Sequence, residues 1–104
     1  MTEGENTKII IHADIDLEDL IPGFLENRCK DIVEIERLIA AGDYETIQRL
    51  GHSMKGCGGG YGFDEITDIG MQIEQAAKEK NTAKIRTQLE ILSRYLDGVE
   101  VVYV

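Results

Sequence analysis

One histidine and one lysine stand three residues apart inside a glycine-rich stretch, RLGHSMKGCGGGYGFDEI, Arg49 to Ile66. An unperturbed imidazole titrates near pH 6.5, so at neutral pH much of it is an uncharged nucleophile. A lysine at i+3 on a helix stands beside it and can neutralise an anion carried on the ring. The pair His52 and Lys55 therefore suits transient anionic chemistry, and the obvious anion is a phosphoryl group. The same stretch carries six glycines, Gly51, Gly56, Gly58, Gly59, Gly60 and Gly62. Inside a helix each weakens the structure by about 1 kcal/mol relative to alanine.

A helical wheel at about 100° per residue shows where these side chains point. With Ile47 set at about 0°, Leu50 falls at about 300°, Met54 at about 340° and Cys57 at about 280°. Their mean sets an expected core direction of about 320°. His52 lands at about 140°, on the outward face, with Gln48, Gly56 and Gly59 on its side and Lys55 about 60° away. Gly56 and Gly59 would leave the surface next to the imidazole bare, so that another protein could approach it closely. Gly60 and Gly62 read as the turn that follows. Cys29 and Cys57 are expected to be small core residues. His12 reads as a plain strand residue without partners nearby in sequence.

The rest of the chain supplies the frame. Met1 to Thr7 is expected to be frayed. KIIIHAD and VEVVYV, near the two ends, are β-branched runs that read as strands. DIDLEDLI reads as a short helix capped by Asp14 or Asp16. A long helix follows, with Pro22 in its first turn or at a kink between the two helices, and Phe24, Leu25, Ile32, Ile35, Leu38 and Ile39 at helical spacing. Gly42 should end it, and Asp43 should cap the next helix from about Tyr44. A further helix spans about 63–79, with Ile66, Ile69, Gly70, Ile73, Ala76 and Ala77 on one face. Asn81 or Thr82 caps the last, which carries Ile85, Leu89, Leu92 and Leu96.

Four amphipathic helices with short connections predict an all-α fold, an antiparallel up-down four-helix bundle preceded by a short extra helix. The two strands predict a small ribbon of roughly Lys8–Ala13 with Glu100–Val104, away from the His52 face, which must lean on the helices or pair across a dimer. At 104 residues the chain is expected to form one domain, 1–104, with its core at about 14–99. Composition narrows the partners. A net charge of −9 argues against nucleic acid and anionic membrane. The two cysteines are too few for a disulfide framework and fit a cytoplasmic setting. No apolar run approaches membrane-spanning length. GCGGGYG matches neither a Walker loop nor the dinucleotide fingerprint.

HSMKGCGGGYGF, His52 to Phe63, resembles the signature of the histidine-containing phosphotransfer (Hpt) domains of bacterial phosphorelays: His-x-x-Lys-Gly, then small residues and a Gly-hydrophobic pair. DLEDLIPGFLENRCKDI, AAGDYETIQRLGH and IEQAAKEKNTAKI resemble the family's flanking helices. The likeness covers about 16–96. Two features depart from it: Gly51, where alanine is common, and the terminal strands.

The resemblance implies that His52 is phosphorylated, Lys55 steadies the phosphoryl group and Gly56 gives the partner room. Glu74 and Lys78 match positions beside the histidine; Gln48 and Gly59 join the binding face from the wheel alone. It implies a phosphocarrier and not a kinase or other enzyme, acting between receiver domains of response regulators and of hybrid histidine kinases. It implies no cofactor or metal on this chain, with Mg²⁺ on the receiver. A monomer is expected, and the chain's shortness fits a stand-alone carrier or a piece of a hybrid kinase. The alternative is a helical module that binds signalling partners without being phosphorylated. A metal or redox bundle using His52, Met54, Cys57 or Cys29 is opposed by the wheel, which points Met54 and Cys57 inward and His52 outward.

Overall fold

The computed structural model describes residues 8–104; the segment expected to be frayed lies outside them. In chain order the elements are β1 (Ile9–Ala13), α1 (Ile21–Ala41), α2 (Tyr44–Gly58), α3 (Asp64–Lys78), α4 (Thr82–Gly98) and β2 (Val99–Tyr103). Short 3-10 turns occupy Ile15–Leu17 and Gly59–Tyr61.

The local chemistry of the sequence sets most of these boundaries. The expected N-terminal helix is a single 3-10 turn, capped by Asp14, whose carboxylate accepts from the Asp16 N–H at 2.9 Å. Pro22 sits in the first turn of α1, where its missing N–H would have had no helical partner. Gly42 closes α1 at φ +73°, a left-handed conformation that disfavours a side chain. Asp43 accepts from the Thr46 N–H at 3.1 Å, and Asn81 accepts from the Lys84 N–H at 3.1 Å, so α2 and α4 start on side-chain caps. Gly62, at φ +93°, turns the chain into α3. No helix among the described residues is long and apolar enough to cross a membrane.

The four helices enclose one aliphatic core. Ile35, Ile47, Ile66, Ile73, Ile85 and Leu92 are fully buried within it, together with Phe63 and Met54. The α2–α3 contact is the tightest, and its cause is glycine. A Cβ on Gly51 would lie 2.7 Å from the Glu74 backbone nitrogen. One on Gly58 would lie 2.7 Å from the Thr67 nitrogen, and one on Gly70 would lie 2.5 Å from the Lys55 nitrogen. All three glycines are buried, and without side chains they let the two backbones close.

This corrects the expected orientation of α2. Its buried residues are Ile47, Gly51, Met54 and Gly58. Their mean direction on the wheel is about 10°, well away from the expected direction of about 320°. The helix is rolled toward α3. Leu50 is consequently half-buried, and Cys57 is exposed, not a core residue. Cys29 is exposed as well, because the buried stripe of α1 runs through Ile21, Phe24, Ile35, Leu38 and Ile39 and leaves Cys29 to one side.

The terminal strands pair with each other in parallel, from Ile9 beside Val99 to Ala13 beside Tyr103. Parallel strands need a long crossover; here the whole bundle is that crossover. Ile9, Ile11, Ala13, Val99, Val101 and Tyr103 face the core, while Ile10, His12, Glu100 and Val102 face out. The ribbon caps the end of the bundle where α1 begins and α4 ends. In an up-down bundle α2 also runs out there. His52 lies near the middle of α2, about 9 Å of helix from Gly58.

Candidate functional site

His52 projects from the third turn of α2, with 67% of its side chain exposed. The roll of α2 toward α3 brings the ring edge to Glu74, whose backbone is the one Gly51 touches. His52 Nδ1 lies 3.1 Å from Glu74 Oε2. The other oxygen, Oε1, lies 3.0 Å from Lys55 Nζ. One carboxylate thus holds the imidazole and the ammonium together. Glu74 itself is mostly covered, at 14% exposure, while Lys55 is 37% exposed.

The electrostatics of the triplet decide the state of the ring. The hydrogen bond from Lys55, followed by the one from His52, holds the Glu74 carboxyl below the usual carboxylate range against a partial desolvation that pushes it up. At neutral pH Glu74 is therefore ionised and can only accept. Nδ1 must then carry a proton, and the neutral ring is the tautomer with its lone pair on Nε2. With the ring so exposed, that lone pair faces solvent. The arrangement offers an oriented, water-facing nitrogen nucleophile with a cation close by.

The bridge carries a prediction about acid stability. Glu74 has a depressed folded-state pKa, so its stabilising contribution is complete above the ordinary glutamate value of about 4.3. That contribution is lost as pH falls through the lower folded value. A carbon-detected NMR titration should place the Glu74 carboxyl midpoint below that ordinary value. Titration at or above it would mean that the bridge does not form.

Gly56 is exposed, with nothing within 4 Å of where its Cβ would be. The surface one turn beyond His52 is open, as the wheel predicts. Gly59 is exposed too; its N–H donates to the Thr67 hydroxyl at 2.7 Å, which ties the end of α2 to α3. Gln48, half-buried, stands one turn before His52, and Lys78, exposed, stands one turn beyond Glu74. Among the described residues neither bonds to His52, Lys55 or Glu74. Met54 is fully buried and His52 exposed, so the two cannot share an ion even though Cys57 is exposed. Among the described residues no group of three or more His, Cys, Asp or Glu side chains is placed to hold a metal ion.

Sequence reasoning from the wheel missed the part played by Gly51, Gly58 and Gly70 in this site. Its signal was present: Gly51 and Gly58 are seven residues apart on one face of α2, and Gly70 stands among the apolar residues of α3. Together they mark a close helix crossing.

A family model described as the Hpt domain matches residues 19–101. No curated protein and no solved structure matches the chain.

Proposed function

The chain belongs to the Hpt domain family, whose members carry phosphoryl groups on histidine within phosphorelays, and from that premise we propose that His52 is the residue phosphorylated here. In this reading His52 accepts a phosphoryl group from the aspartyl phosphate of one receiver domain and passes it to another. The observation that carries it is the single carboxylate of Glu74, which turns the Nε2 lone pair of His52 outward and holds Lys55 at the same place.

The reaction follows from that geometry. The Nε2 lone pair attacks phosphorus; an N–P bond forms as the acyl P–O bond breaks. The receiver's aspartate leaves as carboxylate with the bonding electrons. The ring keeps its Nδ1 proton and becomes cationic, and the Glu74 carboxylate at 3.1 Å stabilises that charge. Lys55 balances the dianionic phosphoryl group. Both the acyl phosphate and the phosphoramidate are energy-rich, so transfer runs in either direction. Phosphoryl transfer needs little beyond alignment and charge neutralisation, and this chain supplies a nucleophile, a cation and an open surface. The reading assigns the acidic pocket and its Mg²⁺ to the receiver and no cofactor to this chain. It makes the chain a carrier without kinase activity, working in the cytoplasm with receivers of response regulators and of hybrid kinases. Gln48, Gly59 and Lys78 are assigned to the docking surface around the histidine.

The test is incubation with a phosphorylated receiver domain and Mg²⁺, followed by mass spectrometry under mildly alkaline conditions. A gain of one phosphoryl group on His52 supports the proposal. Stable complex formation without any phosphoryl gain would make the chain a binding module instead.

The open surface at Gly56 gives a second expectation. Gly56→Leu adds a side chain one turn from the imidazole, and its Cβ meets no atom of the fold within 4 Å. Stability should rise by up to about 1 kcal/mol from helix propensity alone, and receiver docking should weaken, read as a higher Kd and slower transfer. Transfer at the native rate would show that the bare surface has no part in docking.

A further inference from the structure

We propose that the outer edge of β1 pairs with the same edge of a second copy of the chain, antiparallel, to give a continuous sheet ordered β2-β1-β1-β2 across a two-fold axis. A two-stranded ribbon is marginal alone, and both of its edges present free backbone groups.

Two hydrogen bonds fix which groups point where. Val104 donates to the Ala13 carbonyl at 2.8 Å, and the Ile15 N–H donates to the Val104 carbonyl at 3.0 Å. In an extended strand the N–H and C=O of one residue point the same way, and successive residues alternate. The backbone groups of Ile9, Ile11 and Ala13 are therefore turned to β2. Those of Ile10 and His12 are turned outward, and no backbone bond among the described residues engages them.

Antiparallel self-pairing through these groups has one natural register. Ile10 stands opposite His12 of the second copy, and each such pair exchanges two N–H···O=C bonds. The two-fold axis passes between the two Ile11 residues. The next pair outward sets Lys8, whose ammonium reaches Glu100 of its own copy at 3.7 Å, opposite Asp14 of the second copy, and symmetry brings these opposite charges together twice. Residues directly opposite share a face, so the exposed Ile10 side chain, 55% accessible in one copy, packs beside the imidazole of His12. The β2 edge lacks this complementarity. Its one charged residue is Glu100, whose cation, Lys8, is supplied from beside β1 of the same copy, and self-pairing of β2 adds no further opposite charge. The proposal makes the chain a dimer through β1, where the sequence reading expects a monomer. The proposal does not rest on His52.

The test is sedimentation velocity and amide hydrogen exchange on the full chain from micromolar to millimolar concentration. The mass should rise from monomer to dimer. The Ile10 and His12 amides should gain protection over that range, while Ile11 and Ala13 stay protected throughout. Ile10→Pro removes an outward N–H and leaves the β1–β2 ladder intact. It should raise the dimer Kd at least tenfold, with Ile11 and Ala13 still protected; if the variant melts the ribbon, the wild-type exchange pattern decides alone. A monomer at millimolar concentration with Ile10 and His12 exchanging freely overturns the proposal. So does concentration-dependent protection at Val101 and Tyr103 instead, or protection of Ile10 and His12 that is independent of concentration.

Discussion

His52→Gln should reduce phosphoryl acceptance from a phosphorylated receiver to background while leaving the fold unchanged. The side chain is 67% exposed and none of the core rests on it, so helicity by circular dichroism and the urea midpoint should stay within experimental error of wild type. Glutamine keeps an N–H donor on its side chain. Its amide nitrogen, however, has no free lone pair to attack phosphorus, and no loss of packing confuses the result. The molecule holds its own control. His12 is also exposed, on β1, but it has no ion-pair partner among the described residues and no cation beside it in sequence. If exposure were sufficient, His12 would take label as readily as His52. Residual labelling of the variant at His12 would show that the Glu74–Lys55 arrangement is not what makes a histidine competent. Labelling at wild-type level anywhere in the variant would remove the assignment of His52.

The sequence was most legible where one residue decides a local outcome. Gly42, Asp43 and Asn81 end or begin helices through their own backbone freedom or side-chain oxygens, and each does so in the structure. The outward direction of His52 was equally readable, because a wheel needs only the period of one helix. The wheel failed at the next level. It took its core direction from hydrophobic side chains, and glycine has none, so the closest contact in the molecule carried no weight. That omission misplaced Cys57 and hid the roll of α2 toward α3. The bridge from Glu74 to His52 and Lys55 spans 22 positions of sequence and depends on that roll. Periodicity within α2 could not show it; family resemblance alone put Glu74 beside the histidine. The two strands were recognisable by composition, but their parallel sense depends on how the bundle returns the chain and is not written in either strand.

The opposite consequences of two glycine substitutions follow from the same geometry. Gly70→Ala should destabilise the protein by about 1–3 kcal/mol, the usual range for forcing extra atoms into a packed contact. Helix propensity favours alanine by about 1 kcal/mol, so the steric effect must exceed that gain, and the neighbours decide that it does. The new methyl would lie 2.5 Å from the Lys55 nitrogen, 2.7 Å from the Gly51 carbonyl oxygen and 3.0 Å from the Lys55 Cα. All three are backbone atoms of α2, none of which can swing aside as a side-chain tip would. Carbon contacts are comfortable at about 3.5–4.0 Å, so α3 must move away from α2 by about 1 Å. Glu74 lies one turn beyond Gly70 and moves with it, which lengthens the contacts to His52 and Lys55. The variant should therefore lower the urea midpoint and also return the Glu74 titration toward the ordinary carboxylate range. Gly56→Ala is the matched comparison: same helix pair, same chemical change, but no neighbour within 4 Å, and a stabilisation of up to about 1 kcal/mol. If the two substitutions shift the urea midpoint in the same direction, α2 and α3 are not held at glycine distance. The placement of Glu74 against His52 then has no structural cause in this contact.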